Sequence, residues 1–295
     1  RKCAPRATMF IAGGTDGIGL ALLRRVAELR ELHCALPSPP LPASSPSTLP
    51  STIYVLGRDF RRINDDEALA TSLRRGGTSL VQLVADVCDS GAVTSALTRV
   101  DVREQPLTHV VNTIGTFVRK RPIGSPRTTD EAAELERSLS VNVVGNIALT
   151  RALLPLMMLP DAVCDGDGGG DGGNGDDGGG GALGAQAAAT AAAAVPSMVV
   201  LSATLADDPR AGYSTQSCTK AAFAAYIKAL QAEHPRRLRT TLLYVPSLAT
   251  GVFRKAGDDR DISKYPPPSS ITDTILHILN LPACLAVRTL TVAAR

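Results

Sequence analysis

Short aliphatic runs alternate with amphipathic stretches along the chain. Runs at 9–12, 52–56, 79–85, 109–114, 197–201, 240–245 and 287–293 have the length and β-branched content of buried strands. Between them lies helical spacing: Leu20, Leu23, Val26 and Ala27 mark one stripe, and further helices are predicted at 59–75, 90–103, 130–158, 219–233 and 271–281. Gly76-Gly77 ends the second of these. Strict alternation of short strands and helices predicts an α/β fold, a doubly wound parallel sheet flanked by helices on both faces. Two stretches break the rhythm. The proline-rich segment 37–46 is a loop. The glycine–aspartate segment from Asp165 carries too little apolar surface to order itself, and the alanine run to Ala194 that follows is helix-prone until Pro196. Both insertions, at about 35–51 and 161–196, fall where a helix returns to a strand. They are expected at the edge opposite the strands' carboxyl ends, where ligands bind.

The first strand gives way to Gly13, Gly14, Gly17 and Gly19, after which the helical stripe begins. Strand, glycine turn and helix form the first βα unit of a Rossmann-type dinucleotide site. Glycines there let a pyrophosphate meet bare backbone, and the helix start offers free N–H groups and a positive dipole end.

Composition narrows the picture. The chain has 295 residues, enough for one such domain across 1–295. A net charge of +3 gives no case for nucleic acid or a membrane surface, and no unbroken apolar run reaches the ~20 residues of a membrane span. Six cysteines lack any C-x-x-C pairing, so no metal site and no disulfide framework is expected. Reduced thiols and a cytoplasmic location are the expectation. The first strand leaves no room for a targeting peptide, but the chain begins at Arg1, which keeps an organellar origin open.

The order of motifs resembles the short-chain dehydrogenase/reductase family over nearly the whole chain. The family's T-G-x-x-x-G-I-G is similar to Ala12-Gly13-Gly14-Thr15-Asp16-Gly17-Ile18-Gly19, its adenine-contacting Asp to Asp86-Val87, and its N-N-A-G to Asn112-Thr113-Ile114-Gly115. Its mid-helix Asn is matched by Asn142, with Pro155 following at the usual interval. The resemblance implies cofactor contacts from Gly13, Thr15, Gly17, Ile18, Gly19, Asp86, Val87 and Asn112, a small carbonyl or alcohol substrate, and a homo-oligomer.

An acidic residue at the end of the second strand would bind ribose hydroxyls and repel a 2′-phosphate. Gly57 stands there, followed by Arg58, whose guanidinium suits phosphate oxygens. Asp16 and Asp59 pull the other way. The balance favours NADP(H) over NAD(H).

The family's chemistry uses Tyr-x-x-x-Lys on the helix after the fifth strand, with a Ser at the strand's end. The Lys lowers the phenol's pKa and holds the nicotinamide ribose; the Ser steadies the substrate carbonyl. Here Lys220 matches the Lys, but Gln216 stands at the Tyr position and Ala203 at the Ser position, with Ser202 beside it. A carboxamide has no proton to exchange near neutral pH. Tyr213, seven residues before Lys220, water or the substrate would then supply the proton, with Lys220 and Asn142 retained at the site. Ser217 shares the face of Lys220 but is too short and too weak an acid, and Ser202 is a strand-end hydroxyl. Thr250 sits one place early for the family's nicotinamide-contacting Thr. The segment from Phe253 to Pro268 is expected to cover the substrate pocket, with Arg119, Lys120, Arg121 and Arg127 forming a basic loop at the same edge. The expected function is NAD(P)-dependent oxidation or reduction at a carbonyl or hydroxyl group, impaired by the missing acid. The alternative is a non-catalytic cofactor-binding or structural subunit.

Overall fold

The structure is a computed structural model that describes residues 7–35, 49–102, 106–124, 129–158 and 195–294. Seven strands form one parallel sheet: β1 (Thr8–Ala12), β2 (Thr52–Gly57), β3 (Ser79–Val84), β4 (His109–Asn112), β5 (Ser197–Ala203), β6 (Arg239–Val245) and β7 (Thr289–Thr291). Their spatial order is β3-β2-β1-β4-β5-β6-β7. Ala12 lies between Leu56 on one side and Asn112 on the other, so the order reverses beside β1. That reversal opens a crevice at the strands' carboxyl ends.

Side chains alternate across the sheet with the period of two that a strand imposes. Phe10, Ala12 and Leu56 face a core shared with α4 (Ser90–Leu97), α6 (Asn146–Met157) and α7 (Ser214–Glu233). Met9, Ile11 and Val55 face the opposite core, against α1 (Gly17–Ala35), α3 (Glu67–Arg75) and α9 (Thr272–Leu279). Fully buried side chains such as Leu23 and Leu153 each contribute roughly 1.5–3 kcal/mol by leaving water.

Several elements depart from the sequence expectation in bounds. The helix predicted at 59–75 is two, α2 (Arg61–Asn64) and α3, because the Asp66 side chain accepts from Leu69 N–H and starts a new helix. The helix predicted at 90–103 stops at Leu97. α7 begins at Ser214 rather than 219, after a turn in which Gly212 has φ +84°, and this carries Gln216 and Ser217 inside the helix. β4 ends at Asn112, where its side-chain oxygen accepts from Ile114 N–H and replaces the ladder. The low-complexity segments 36–48 and 159–194 lie outside the described residues.

The helix predicted at 130–158 is continuous but not uniform. α5 (Thr129–Leu139) runs through a π turn (Ser140–Gly145) into α6. By length and composition the helix Glu131–Met157, in which an 18-residue window has mean hydropathy 1.4, could cross a membrane; Arg151 hides this from a search for unbroken apolar runs. Here Leu149, Leu153 and Met157 are spent on the sheet.

Candidate active site

The glycine loop sits at the crevice. Gly13 N–H bonds to the Leu56 carbonyl at 2.9 Å, fixing the loop to β2. A Cβ on Gly19 would fall 2.5 Å from the Gly13 carbonyl oxygen, so only glycine lets α1 start so close to its strand. Thr15 packs against Gly57, and Ile18 against the core beneath α1. The Gly17 N–H, at the helix start where an anion would bind, is held at 2.8 Å by the Asp16 carboxylate. Asp16 also accepts from Arg62 at 2.5 Å and from Lys255, in the short helix α8 (Val252–Lys255), at 2.6 Å. Partial burial works to raise the Asp16 pKa, but the Lys255 and Gly17 bonds and the nearby cations outweigh it and hold the carboxyl below its usual range. An internal carboxylate thus occupies an anion-holding position. Thr250 lies against Gly17 at the same place.

At the adenosine edge, Arg58 donates to Asp86 at 3.2 Å. Asp86 also accepts from Cys88 N–H. Burial acts to raise its pKa; those bonds and the Arg58 charge bring it below normal. Val87 is buried, and its carbonyl packs against Gly145 of the π turn.

The far side is built around the chain leaving β4. Asn112 donates to Asn146 at 2.8 Å and is buried. Asn142, also buried, accepts from Thr116 N–H at 2.8 Å and donates to the Thr116 carbonyl and the Ser138 hydroxyl. Gln216 does the same from α7: it accepts from Val118 N–H and donates to the Thr116 carbonyl, both at 3.3 Å. Two carboxamides therefore clip the segment Thr116–Val118 as a neighbouring strand would. Lys220 lies one turn further along α7. A Cβ on Gly115 would be 2.5 Å from its Nζ, which puts the ammonium at the carboxyl end of β4. Burial alone pushes the Lys220 pKa down to about 8, although the residue keeps some solvent contact.

Tyr213 stands at the N-cap of α7, and its hydroxyl is bonded to Arg260 at 3.4 Å. Arg260 lies 4.9 Å from the Phe117 ring centre and 4.4 Å from that of Phe253, and pairs with Asp258 at 2.6 Å. The Asp258 bond foremost, then the Tyr213 and Tyr265 hydroxyls, strengthen its hold on its proton against burial. Phe253 stacks on Tyr265 at 5.7 Å. The covering segment thus closes with an aromatic box around one cation. Of the basic loop, Arg119 donates to the Gly257 carbonyl and Arg121 N–H to that of Gly212; Arg127 lies outside the described residues. Ser202 and Ser217 are buried with hydroxyls that no described group bonds. Among the described residues no cluster of His, Cys, Asp and Glu could hold a metal.

Residues 7–159, over half the chain, match the pattern of the KR domain. The chain belongs to this family, of the short-chain dehydrogenase/reductase type. No curated protein matches the chain. Among solved structures, it is similar to an alcohol dehydrogenase of the archaeon Thermococcus sibiricus, solved with 5-hydroxy-NADP: 16% identity, TM-score 0.67, 98% of this chain and 96% of that one covered. A Shigella flexneri protein described as a short chain dehydrogenase, complexed with NADP, matches at 17% identity and TM-score 0.67 over 99% of both chains. Serine dehydrogenase of Escherichia coli matches at 15% identity and TM-score 0.62, covering 97% of this chain and 96% of that one. At such identities these matches show the fold alone.

A nicotinamide dinucleotide fits the residues present in part. The glycine turn brings bare backbone to the start of α1, where a pyrophosphate would meet it, and the Lys220 ammonium stands against Gly115, bonded to no described residue. Against this, Asp16 already takes the Gly17 N–H. Three contacts were not read from the sequence: Arg62 and Lys255 on Asp16, and Arg260 in the aromatic box. No local pattern marks them, since their partners are up to 239 residues away.

Proposed function

We propose that this KR-domain chain is an NAD(P)-dependent oxidoreductase acting on a carbonyl or hydroxyl group, with NADP(H) preferred. The observation that carries this reading is the meeting of the glycine cradle and the Lys220 ammonium across the crevice between β1 and β4. The NADP and 5-hydroxy-NADP complexes of the two similar structures support a nicotinamide cofactor. In this reading Gly13, Gly17 and Gly19 hold the pyrophosphate, Arg58 the 2′-phosphate, Asp86 and Val87 the adenine, and Lys220 the nicotinamide ribose. Asn112 and Asn142 shape the floor. The bound cofactor supplies a hydride to the substrate carbon. A reduced, cytosol-like compartment and a homo-oligomer belong to the same proposal, as does a single domain carrying two insertions.

The test is fluorescence titration with NADPH and NADH, followed by NADPH oxidation with a panel of small aldehydes, ketones and quinones. Tight NADPH binding with turnover on any of them supports the reading.

A second reading, a cofactor-binding subunit without turnover, draws on a different observation. Gln216 and Asn142 both spend their carboxamides on Thr116–Val118, and the position of the family's phenol carries no acid. NADPH binding without oxidation of any carbonyl would favour it.

A further inference from the structure

Resting on the oxidoreductase reading, we propose that the Lys220 ammonium is itself the proton donor to the substrate oxygen, in place of the family's phenol. The other side chains around the crevice are placed differently. Gln216 is bonded to backbone through both ends of its carboxamide and has no acidic proton. The Tyr213 hydroxyl accepts from Arg260 of the covering segment, at the N-cap of α7 and two helical turns before Lys220. Ser202 and Ser217 are buried hydroxyls with no base beside them, and a serine without one is too weak an acid. Lys220 differs from all of these. Its Nζ stands against Gly115 at the carboxyl end of β4, on the crevice, and makes no hydrogen bond or ion pair with any described residue. Three N–H donors are therefore free for a ligand.

The electrostatics agree with the geometry. Among the side chains the structure describes, the charged groups on the elements packed against α7 are Glu131, Glu134, Glu136 and Arg137 of α5, Arg151 of α6 and Arg239 of β6. None of them, nor Tyr213, Cys218 or Tyr244, contributes to the Lys220 shift, whose one cause is burial. With no carboxylate to hold its proton, Lys220 is an acid of pKa about 8 rather than the 10.5 of a solvated lysine, close to the operating pH that proton transfer favours.

The step balances. NADPH, as reductant, delivers a hydride to the carbonyl carbon and becomes NADP⁺. The C=O π pair moves to oxygen, an O–H bond forms as one Nζ–H bond breaks, and the neutral amine regains a proton from water.

The test compares NADPH affinity and carbonyl reduction in wild type, Lys220→Arg and Tyr213→Phe. Arginine keeps the cation but cannot give up its proton. Lys220→Arg, which keeps a cation toward the ribose, is expected to lose turnover at saturating NADPH by at least ~10²-fold. Wild-type reduction is expected to fall as pH rises through about 8, and alcohol oxidation to rise there. Turnover that survives in Lys220→Arg, or is lost only in Tyr213→Phe, overturns this inference and leaves the oxidoreductase reading standing. No turnover by wild type overturns both. Should Lys220→Arg fail to fold, pH-dependent acetylation of wild type, read by mass spectrometry with exposed Lys228 for comparison, still decides. A Lys220 midpoint near 8 supports the inference, and one near 10.5 overturns it.

Discussion

Arg58 donates to the Asp86 carboxylate across the adenosine edge, Nη1 to Oδ2 at 3.2 Å, with the arginine side chain 70% exposed. An exposed pair of this kind contributes only about 0–1 kcal/mol to stability, so the guanidinium is free to leave it for a phosphate. Arg58→Ala is expected to weaken NADPH binding by about 1.5–3 kcal/mol, the loss of a charged hydrogen-bond partner, while NADH binding changes little. Paired fluorescence titrations check this; an equal loss for both cofactors would refute the 2′-phosphate assignment.

Asp16 works against the same ligand. Its carboxylate sits on the Gly17 N–H and carries negative charge where the pyrophosphate would come. Asp16→Asn is expected to tighten NADPH binding by about 5–10-fold, on the order of 1 kcal/mol for one charged contact removed, and to free Lys255 in α8. Isothermal calorimetry measures the affinity. Weaker binding in the variant would mean that Asp16 shapes the loop rather than competing for it.

His109 provides the pH dependence. It is buried in β4 with Thr108 Oγ1 2.8 Å from its Nδ1, and burial foremost, then the Arg239 charge, push its pKa from 6.5 down to about 4. Between those values the unfolded chain binds a proton that the folded chain does not. Stability is therefore fully present above pH 6.5 and is lost as pH falls toward 4, by roughly 2–3 kcal/mol. Urea midpoints across this window should fall less for His109→Gln than for wild type. Parallel curves would show that His109 is charged in the folded protein.

The Gln216 clip has a stability signature. Gln216→Leu leaves Val118 N–H without its side-chain acceptor, at an expected cost of about 1–3 kcal/mol. Faster hydrogen exchange at Val118 than at Ile114, whose acceptor Asn112 is untouched, would localise the effect. Unchanged exchange at Val118 would mean that the bond is not formed in solution.

The sheet was legible because its strands are short, aliphatic and regularly spaced, and the glycine loop because close backbone approach excludes every other residue at Gly19. The bounds of α7 were harder. Ser214 to Cys218 reads as polar and irregular, and only the Gly212 turn and the packing of Gln216 make it helix. What stayed hidden are contacts between distant segments. Nothing near Arg260 announces that Phe117 and Phe253 will enclose it, and nothing near Asp16 that Lys255 will reach it. Local pattern encodes periodicity and turn chemistry; which cation meets which carboxylate is settled by tertiary packing.

The π turn at Ser140–Gly145 is a phase correction. From Ser138 to Met157 one stripe of buried positions follows as Ser138, Asn142, Asn146, Leu149, Leu153 and Met157, with Gly145 and Thr150 buried beside it. At about 100° per residue, those nineteen steps overshoot five full turns by about 100°, roughly one residue. A turn closed i→i+5 absorbs that surplus. In an unbroken α-helix, Ser138, whose hydroxyl holds Asn142, and Met157 on the sheet would diverge by that angle. The extra residue lets one helix serve the crevice with its first half and the core with its second.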